Sequence, residues 1–575
     1  MRKIKRFAVS AMASALLAVT FTGCGGSDES SETGSGSDSS ETPVAVDSIA
    51  SKGFVHVEDG QVVDGEGEAV WLKGIAFGND VWTTHTEPFL TDHDESSYKD
   101  LSEMGFNCVR FYLDYHVFED DDNPYEYKES GFEWIDENIE WAKKYGVGLI
   151  LNMHVPQGGY QSQGEGTALW SDEESQERLK ALWAEFAKRY ADEPTVFGYG
   201  IINEPIVPKL STTEESVNQC RDLMQEITDA IREYDTNHII FAERVCAVQD
   251  TTTLESDWSV SIPETQFLLD DDNTVYEFHC YDPYNFTHQD MDWANTAGQY
   301  KYYPSDEVVT SNVLNSWAGC STSEAVEELE DGWVLYQSEP VSRTENYNIG
   351  SVTLQANTTG VGGTVMFDDV VVEEYTDGEL TAEIKNLTFD TSTSELYFWA
   401  QDGQGSSAYN EYDGYTTGCM TIFDTTSDAN VSGYKFELKE GCEYVIKAKV
   451  KKVDTDCVAM PRIDFSLAEE VMTLGPDYLE SIMLQYLAFG EENNVPMYMG
   501  EFGAAITACV EGRGGEQWTA DMIDICKEYS VHFTYHTYHE NTFGLYQNDA
   551  YSLPSAEYLN VELAEVFRSK LADSE

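Results

Sequence analysis

The stretch Val147-Gly148-Leu149-Ile150-Leu151-Asn152-Met153-His154, followed after residues 173–190 by Val196-Phe197-Gly198-Tyr199-Gly200-Ile201-Ile202-Asn203-Glu204-Pro205, decides the fold. The two apolar runs have strand length, and residues 173–190 between them place apolar side chains at three- and four-residue spacing, as one face of a helix requires. A strand, a helix and a strand in series make a βαβ unit, whose strands lie parallel. The same alternation continues on both sides. Apolar runs occur at 70–77, 107–113, 147–154, 196–205, 238–245, 274–281, 495–503 and 531–538, with helical patterns at 133–145, 173–190 and 215–234 among them. Residues 54–62 and 69–77 read as an opening hairpin. Eight such strands predict an α/β fold, a (β/α)8 TIM barrel.

Between the sixth and seventh runs the alternation of strand and helix stops. Residues 305–468 are rich in Thr, Ser, Gly and Val, with two-residue alternation at 350–356, 363–374 and 434–453, which predicts an all-β sandwich inserted into the barrel. The barrel is then split into 53–304 and 469–575. Thr364-Val365-Met366-Phe367-Asp368-Asp369-Val370-Val371-Val372 resembles the closing strand of jelly-roll carbohydrate-binding modules. Asn386-Leu387-Thr388-Phe389-Asp390 resembles their opening strand, and 441–452 their Gly-x-x-Tyr strand. The order here is reversed, which implies a circularly permuted module whose two ends lie side by side. A sandwich that binds no glycan is the alternative. The resemblance also implies that Asp368 and Asp369 could help hold a structural Ca²⁺.

The chain has 575 residues and a net charge of −72, from 105 acids against 33 Lys and Arg. So acidic a surface excludes nucleic acid and argues against polyanions and anionic membranes, which need basic faces. Aromatic residues at 13% exclude a disordered acidic chain. Arg2, Lys3, Lys5 and Arg6 precede an uncharged run, as in a secretory signal over 1–23. Gly23-Cys24 resembles a lipobox, which implies lipidation of Cys24 and anchoring at a bacterial surface; plain secretion is the alternative. Loss of that signal removes four bases and no acid, taking −72 to −76. Residues 24–52 read as an acidic, Ser- and Gly-rich tether. The ten other cysteines form no zinc-type pair, and buried thiols or one or two disulfides both remain open. Asp120-Asp121-Asp122 and Asp270-Asp271-Asp272 read as solvated loops rather than calcium sites.

Barrel chemistry sits where strands end. The fourth run ends in Asn203-Glu204-Pro205 and the seventh in Glu501-Phe502-Gly503. Two carboxylates on one rim can protonate a glycosidic oxygen and attack the anomeric carbon, as a retaining glycosidase does. Asn107-Cys108-Val109-Arg110, Asn152-Met153-His154 and His279-Cys280-Tyr281 lie on the second, third and sixth runs. Together these five motifs resemble glycoside hydrolase family five, the cellulase and mannanase family. The resemblance implies Glu204 as acid and base and Glu501 as nucleophile. It further implies support from Arg110, His154, Asn203, His279 and Tyr281, and no cofactor or metal. The family's eighth-strand Trp is replaced here by His536. Trp293 in the sixth loop either supplies another stacking surface or packs under the insert.

The expectation is a monomeric, lipid-anchored, retaining endo-β-1,4-glycanase acting on neutral plant cell-wall β-glucan. A β-mannanase, an exo-β-glucanase and a non-catalytic glycan-binding lipoprotein are the alternatives.

Overall fold

The alternating runs become eight parallel strands, each followed in sequence by its connection to the next, and they close on themselves. This is seen in a computed structural model that describes residues 48–572 apart from 163, 311, 312, 391–395, 454, 455 and 511. The signal, Cys24 and most of the tether lie outside the described residues. The barrel strands are β1 (Lys73–Phe77), β2 (Cys108–Asp114), β3 (Gly148–Val155), β4 (Val196–Gly200), β5 (Ile239–Glu243), β6 (Thr274–His279), β7 (Met497–Phe502) and β8 (His532–Tyr535). They pair in chain order, and β8 pairs with β1 to close the ring. All eight are buried along their length, because helices cover the outside and side chains fill the inside.

The helices Glu129–Tyr145, Glu173–Tyr190 and Thr213–Arg232 occupy the expected stretches. Asp172 and Thr212 cap the last two by accepting from the backbone amides of Ser175 and Glu215, each cap being worth about 1 kcal/mol. Their apolar faces pack on the strands in one cluster that includes Leu151, Leu182, Trp183, Phe186, Met224 and Ile227.

Two strand ends depart from the sequence reading. Residues 201–205 continue the apolar run but lie beyond β4, and Glu204 takes a left-handed φ of 42°. β8 likewise stops at Tyr535, so His536 stands just past the strand.

Residues 313–468 form antiparallel sheets. One has five strands, in the order Val313–Cys320, Val458–Ala468, Ile349–Asn357, Ala429–Glu437 and Leu396–Ala400; the other has eight. Both face a single apolar cluster, to which Val352, Leu354, Val431 and Ile463 come from the first and Val365, Phe367, Ile446 and Val450 from the second. The insert begins and ends on one short antiparallel pair, Ser305–Val309 with Met472–Leu474. Its ends therefore lie side by side. Thr364–Thr376 is an interior strand, paired with Cys442–Lys452 on one side and with Tyr415–Phe423 and Glu379–Leu387 on the other. The strand expected at 386–390 ends at Leu387, and Phe389 has a φ of 55°.

All ten cysteines among the described residues are free, and eight are buried. Asp369 is ion-paired with Lys449, so an ammonium already compensates that carboxylate. The acidic loops are partnered rather than merely solvated: Asp121 pairs with Arg178 at 2.9 Å and Asp271 with Arg232 at 2.6 Å. Among the described residues no helix is long and apolar enough to cross a membrane.

Candidate active site

Arg110 and Tyr112, two residues apart on β2, share the face turned to the barrel interior, since side chains alternate along a strand. Arg110 is fully buried. Its Nη1 donates to Glu501 Oε1 at 2.7 Å and its Nη2 to Asn203 Oδ1 at 2.8 Å, while Nη2 also lies 2.7 Å from Glu277 Oε1. One planar fork thus orients groups from β6, β7 and the segment after β4. Tyr112 adds a hydroxyl donor to Glu501 Oε1 at 2.7 Å, and Tyr281 donates to Glu501 Oε2 at 2.9 Å. Burial alone would raise the Glu501 pKa. The charges of His279 and Arg110 outweigh it and hold the carboxyl well below the usual carboxylate range.

Strand pairing sets His279 opposite Glu501. The His279 Nδ1 lies 2.9 Å from Glu204 Oε1 and 3.5 Å from Glu501 Oε2, so one imidazole sits between the two acids. An oxygen of Glu204, an oxygen of Glu501 and a ring nitrogen of His279 all fall within 4.8 Å of one another. The far nitrogen, Nε2, is 3.4 Å from Glu277 Oε1 and 3.5 Å from Glu243 Oε1. Burial opposes a charge on His279, yet Glu243, Glu501, Glu204 and Glu277 raise its pKa well above the ordinary histidine value.

Glu243, at the end of β5, is also buried. Its Oε2 accepts the backbone amide of Glu204 at 2.6 Å, and its Oε1 the thiol of Cys246 at 3.2 Å. Burial pushes its carboxyl up to about 8, with His279 opposing and Glu277 and Glu204 adding to the shift. A left-handed φ on a non-glycine residue is strained. The Glu243 contact holds that backbone in place. Glu243, Glu277 and His279 also have ligand atoms within 4.8 Å of one another, but the Arg110 guanidinium beside Glu277 already supplies the positive charge there.

The profile of the cellulase family, glycosyl hydrolase family 5, matches residues 63–351, which carry β1 to β6 and Glu204. The chain belongs to glycosyl hydrolase family 5. Endoglucanase C of Acetivibrio thermocellus is 33% identical over 216 residues, 38% of this chain and 57% of that protein. A β-xylosidase of Phanerodontia chrysosporium is 30% identical over 207 residues, 35% of this chain and 39% of the relative. The chain thus spans a little over half the length of the endoglucanase it matches. Among solved structures, the endoglucanase Cel5A of Thermotoga maritima aligns at 16% identity with a TM-score of 0.44, covering 86% of this chain and 96% of that one.

In this family-5 chain the residues named from sequence fall into two groups. Arg110, Asn203, Glu204, His279, Tyr281 and Glu501 form the network just described. His154 lies at its edge, with its ring stacked on Tyr112 at 4.1 Å and its Nε2 3.4 Å from Asn203 Nδ2. Burial, helped by Arg110 and opposed by Glu501, holds its pKa well below the ordinary value, so it is a neutral imidazole. Asn203 Nδ2 also donates to Ser162 Oγ at 3.2 Å. His536 accepts from or donates to the Tyr112 hydroxyl through Nδ1 at 3.1 Å, and its ring meets Trp82 edge-on at 6.3 Å. Trp293 stands farther out, 58% exposed, with its ring edge-on to His288 at 5.5 Å.

Tyr112, Glu243, Glu277 and Trp82 were not singled out by sequence. Trp82, 39% exposed, brings an indole beside His536. Gly78 makes room for it, because a Cβ there would lie 2.8 Å from Trp82 Cη2.

The charge on His279 sets a pH dependence. A pKa raised in the folded state means the folded protein binds that proton more tightly. The contribution is full below the unfolded value near 6.5 and is lost as pH rises through the folded value. His279→Gln is therefore expected to lower the melting temperature at pH 6 and to flatten its decline at alkaline pH. Thermal melts of both proteins from pH 6 to 10 check this; parallel curves would refute it.

Proposed function

We propose that this chain is a retaining endo-β-1,4-glucanase acting on neutral β-glucan. The observation that carries the reading is the pairing of Glu204 and Glu501 across His279, with oxygens within 4.8 Å. That approach supports the close spacing of a retaining pair, about 5–5.5 Å between carboxyl groups, over the about 6.5–9.5 Å of an inverting one.

Glu501, held ionised by His279 and Arg110 and oriented by the hydroxyls of Tyr112 and Tyr281, attacks the anomeric carbon. Glu204 gives a proton to the departing glycosidic oxygen, then removes one from the water that hydrolyses the glycosyl-enzyme. His279, in contact with both carboxylates, adjusts to the charge as it moves from one to the other. A net charge of −72 disfavours polyanionic substrates and leaves neutral polysaccharide. The relatives named endoglucanase support a glucan and an endo action. The two-sheet insert is a permuted jelly roll, a reading supported by its adjacent ends and the Thr364–Thr376 strand. Export and lipidation at Cys24 complete the proposal, on the strength of the basic start and Gly23-Cys24.

Proton NMR of the products made from soluble β-glucan tests the reaction. The β-anomer is expected first, with rapid loss of viscosity from internal cleavage. Initial α-anomer would overturn retention, and no hydrolysis of any β-glucan would overturn the substrate.

A further inference from the structure

The edge strand Leu396–Ala400 of the five-stranded sheet is built in two faces. Leu396, Phe398 and Ala400 pack on the insert's core. Tyr397 and Trp399 alternate with them and therefore lie on the outer face. Tyr397 meets the barrel's sixth loop: Asn285 Nδ2 donates to its hydroxyl at 3.5 Å, and the Lys301 ammonium lies over its ring at 5.2 Å. Trp399, one step outward on the same face, is 56% exposed.

Directly paired residues in an antiparallel sheet share a face. Trp399 is opposite Asn430, which is followed across the sheet by Gln355 and Met460. The row beside it runs Tyr397, Ser432, Thr353 and Arg462. Arg462 is bonded to Asp464 and Gln355, and the wholly buried Thr353 gives its hydroxyl to Asp464, so this face presents the amides of Asn430 and Gln355, the Ser432 side chain and a compensated ion pair. An exposed indole next to neutral hydrogen-bonding groups matches a pyranose, which has an apolar face and a hydroxylated rim.

The face is continuous with the catalytic rim. Tyr284, next to Asn285, is 49% exposed and stacked on His288 at 4.0 Å. His288 in turn meets Tyr281, the donor to Glu501, at 5.0 Å. Aromatic rings thus lead from the nucleophile through the sixth loop to the insert.

We infer that the outer face around Trp399 is an accessory subsite for a neutral β-glucan chain, gripping the part of a long substrate that extends past the sixth loop while its cleavage point lies between Glu204 and Glu501. The inference rests on the β-glucanase reading above.

The test separates long from short substrates, with the full chain. Trp399→Ala is expected to raise KM for soluble mixed-linkage β-glucan about five- to tenfold, or about 1–1.4 kcal/mol, with kcat unchanged. It should leave kcat/KM for cellotriose and the melting temperature alone, while Trp399→Phe recovers most of the loss. Calorimetric binding of the polymer to Glu501→Gln, with and without Trp399→Ala, reads the same loss without turnover. Unchanged polymer KM and affinity in an active enzyme would overturn the inference and leave the function standing. A wild type inert on every β-glucan would overturn both. A dimer in solution that Trp399→Ala dissociates, with polymer affinity unchanged, would assign this face to a second copy of the chain instead.

Discussion

Glu501→Gln is expected to reduce kcat on β-glucan by about 10³–10⁵-fold while polymer affinity stays within a few-fold of wild type. Glutamine keeps the volume and an oxygen that can still accept from Arg110 and Tyr112, so the barrel interior need not rearrange. What it loses is the negative charge that attacks carbon. It also loses one of the two carboxylates that ion-pair with the buried Arg110. Glu277 still compensates that guanidinium, so folding should survive. The charge that helps raise His279 is removed, however, and the imidazole should lose its proton at lower pH than in wild type. Steady-state kinetics, calorimetry and a histidine-resolved NMR titration measure the three effects. Activity above a tenth of wild type, in a correctly folded variant, would remove Glu501 from the nucleophile's role.

The barrel could be read from sequence because its strands are buried on both faces and its helices on one. The first condition yields short, nearly unbroken apolar runs such as 147–154, and the second yields the spacing in 173–190. Where each strand stops was less legible. Ile201 and Ile202 are as apolar as the ladder before them, but apolarity reports burial, and the segment after Gly200 is buried without being part of β4. The turn that aims Glu204 depends on a carboxylate supplied by β5, which no local pattern announces.

The site shows the same division. Residues inside short motifs were found, whereas Tyr112 and Glu277, each two positions from a motif residue on the same strand face, were not. A signal existed: an acid within an apolar strand run, such as Glu277 in Thr274–His279 or Glu243 in Ile239–Glu243, must meet a partner once buried. Arg110 and His279 are those partners. Trp82 carried no comparable mark, since it lies in a loop where periodicity is silent. In the insert, alternation located strands but not their neighbours, because pairing across a sheet is set by topology rather than by local composition.

Glu204→Gln is expected to separate the two halves of the reaction. Cleavage of β-glucan needs a proton delivered to a poor leaving group, so kcat should fall about 10²–10⁴-fold. A dinitrophenyl cellobioside departs without that help, and its first step should remain fast. The second step then stalls, because the group that deprotonates water is gone, and a covalent adduct on Glu501 should accumulate after a burst of dinitrophenol. Azide, which attacks without a base, should restore turnover and give a glycosyl azide of retained configuration. The fold should tolerate the change: Glu243 holds the backbone amide of residue 204, which glutamine keeps, and the side chain lies at the rim within reach of solvent. The same variant distinguishes chemistry from scaffolding. Loss of a purely structural contact to His279 would slow both substrates alike, give no burst and leave azide without effect. A burst, an adduct on Glu501 and azide rescue together require that Glu204 move the proton and that Glu501 form the bond.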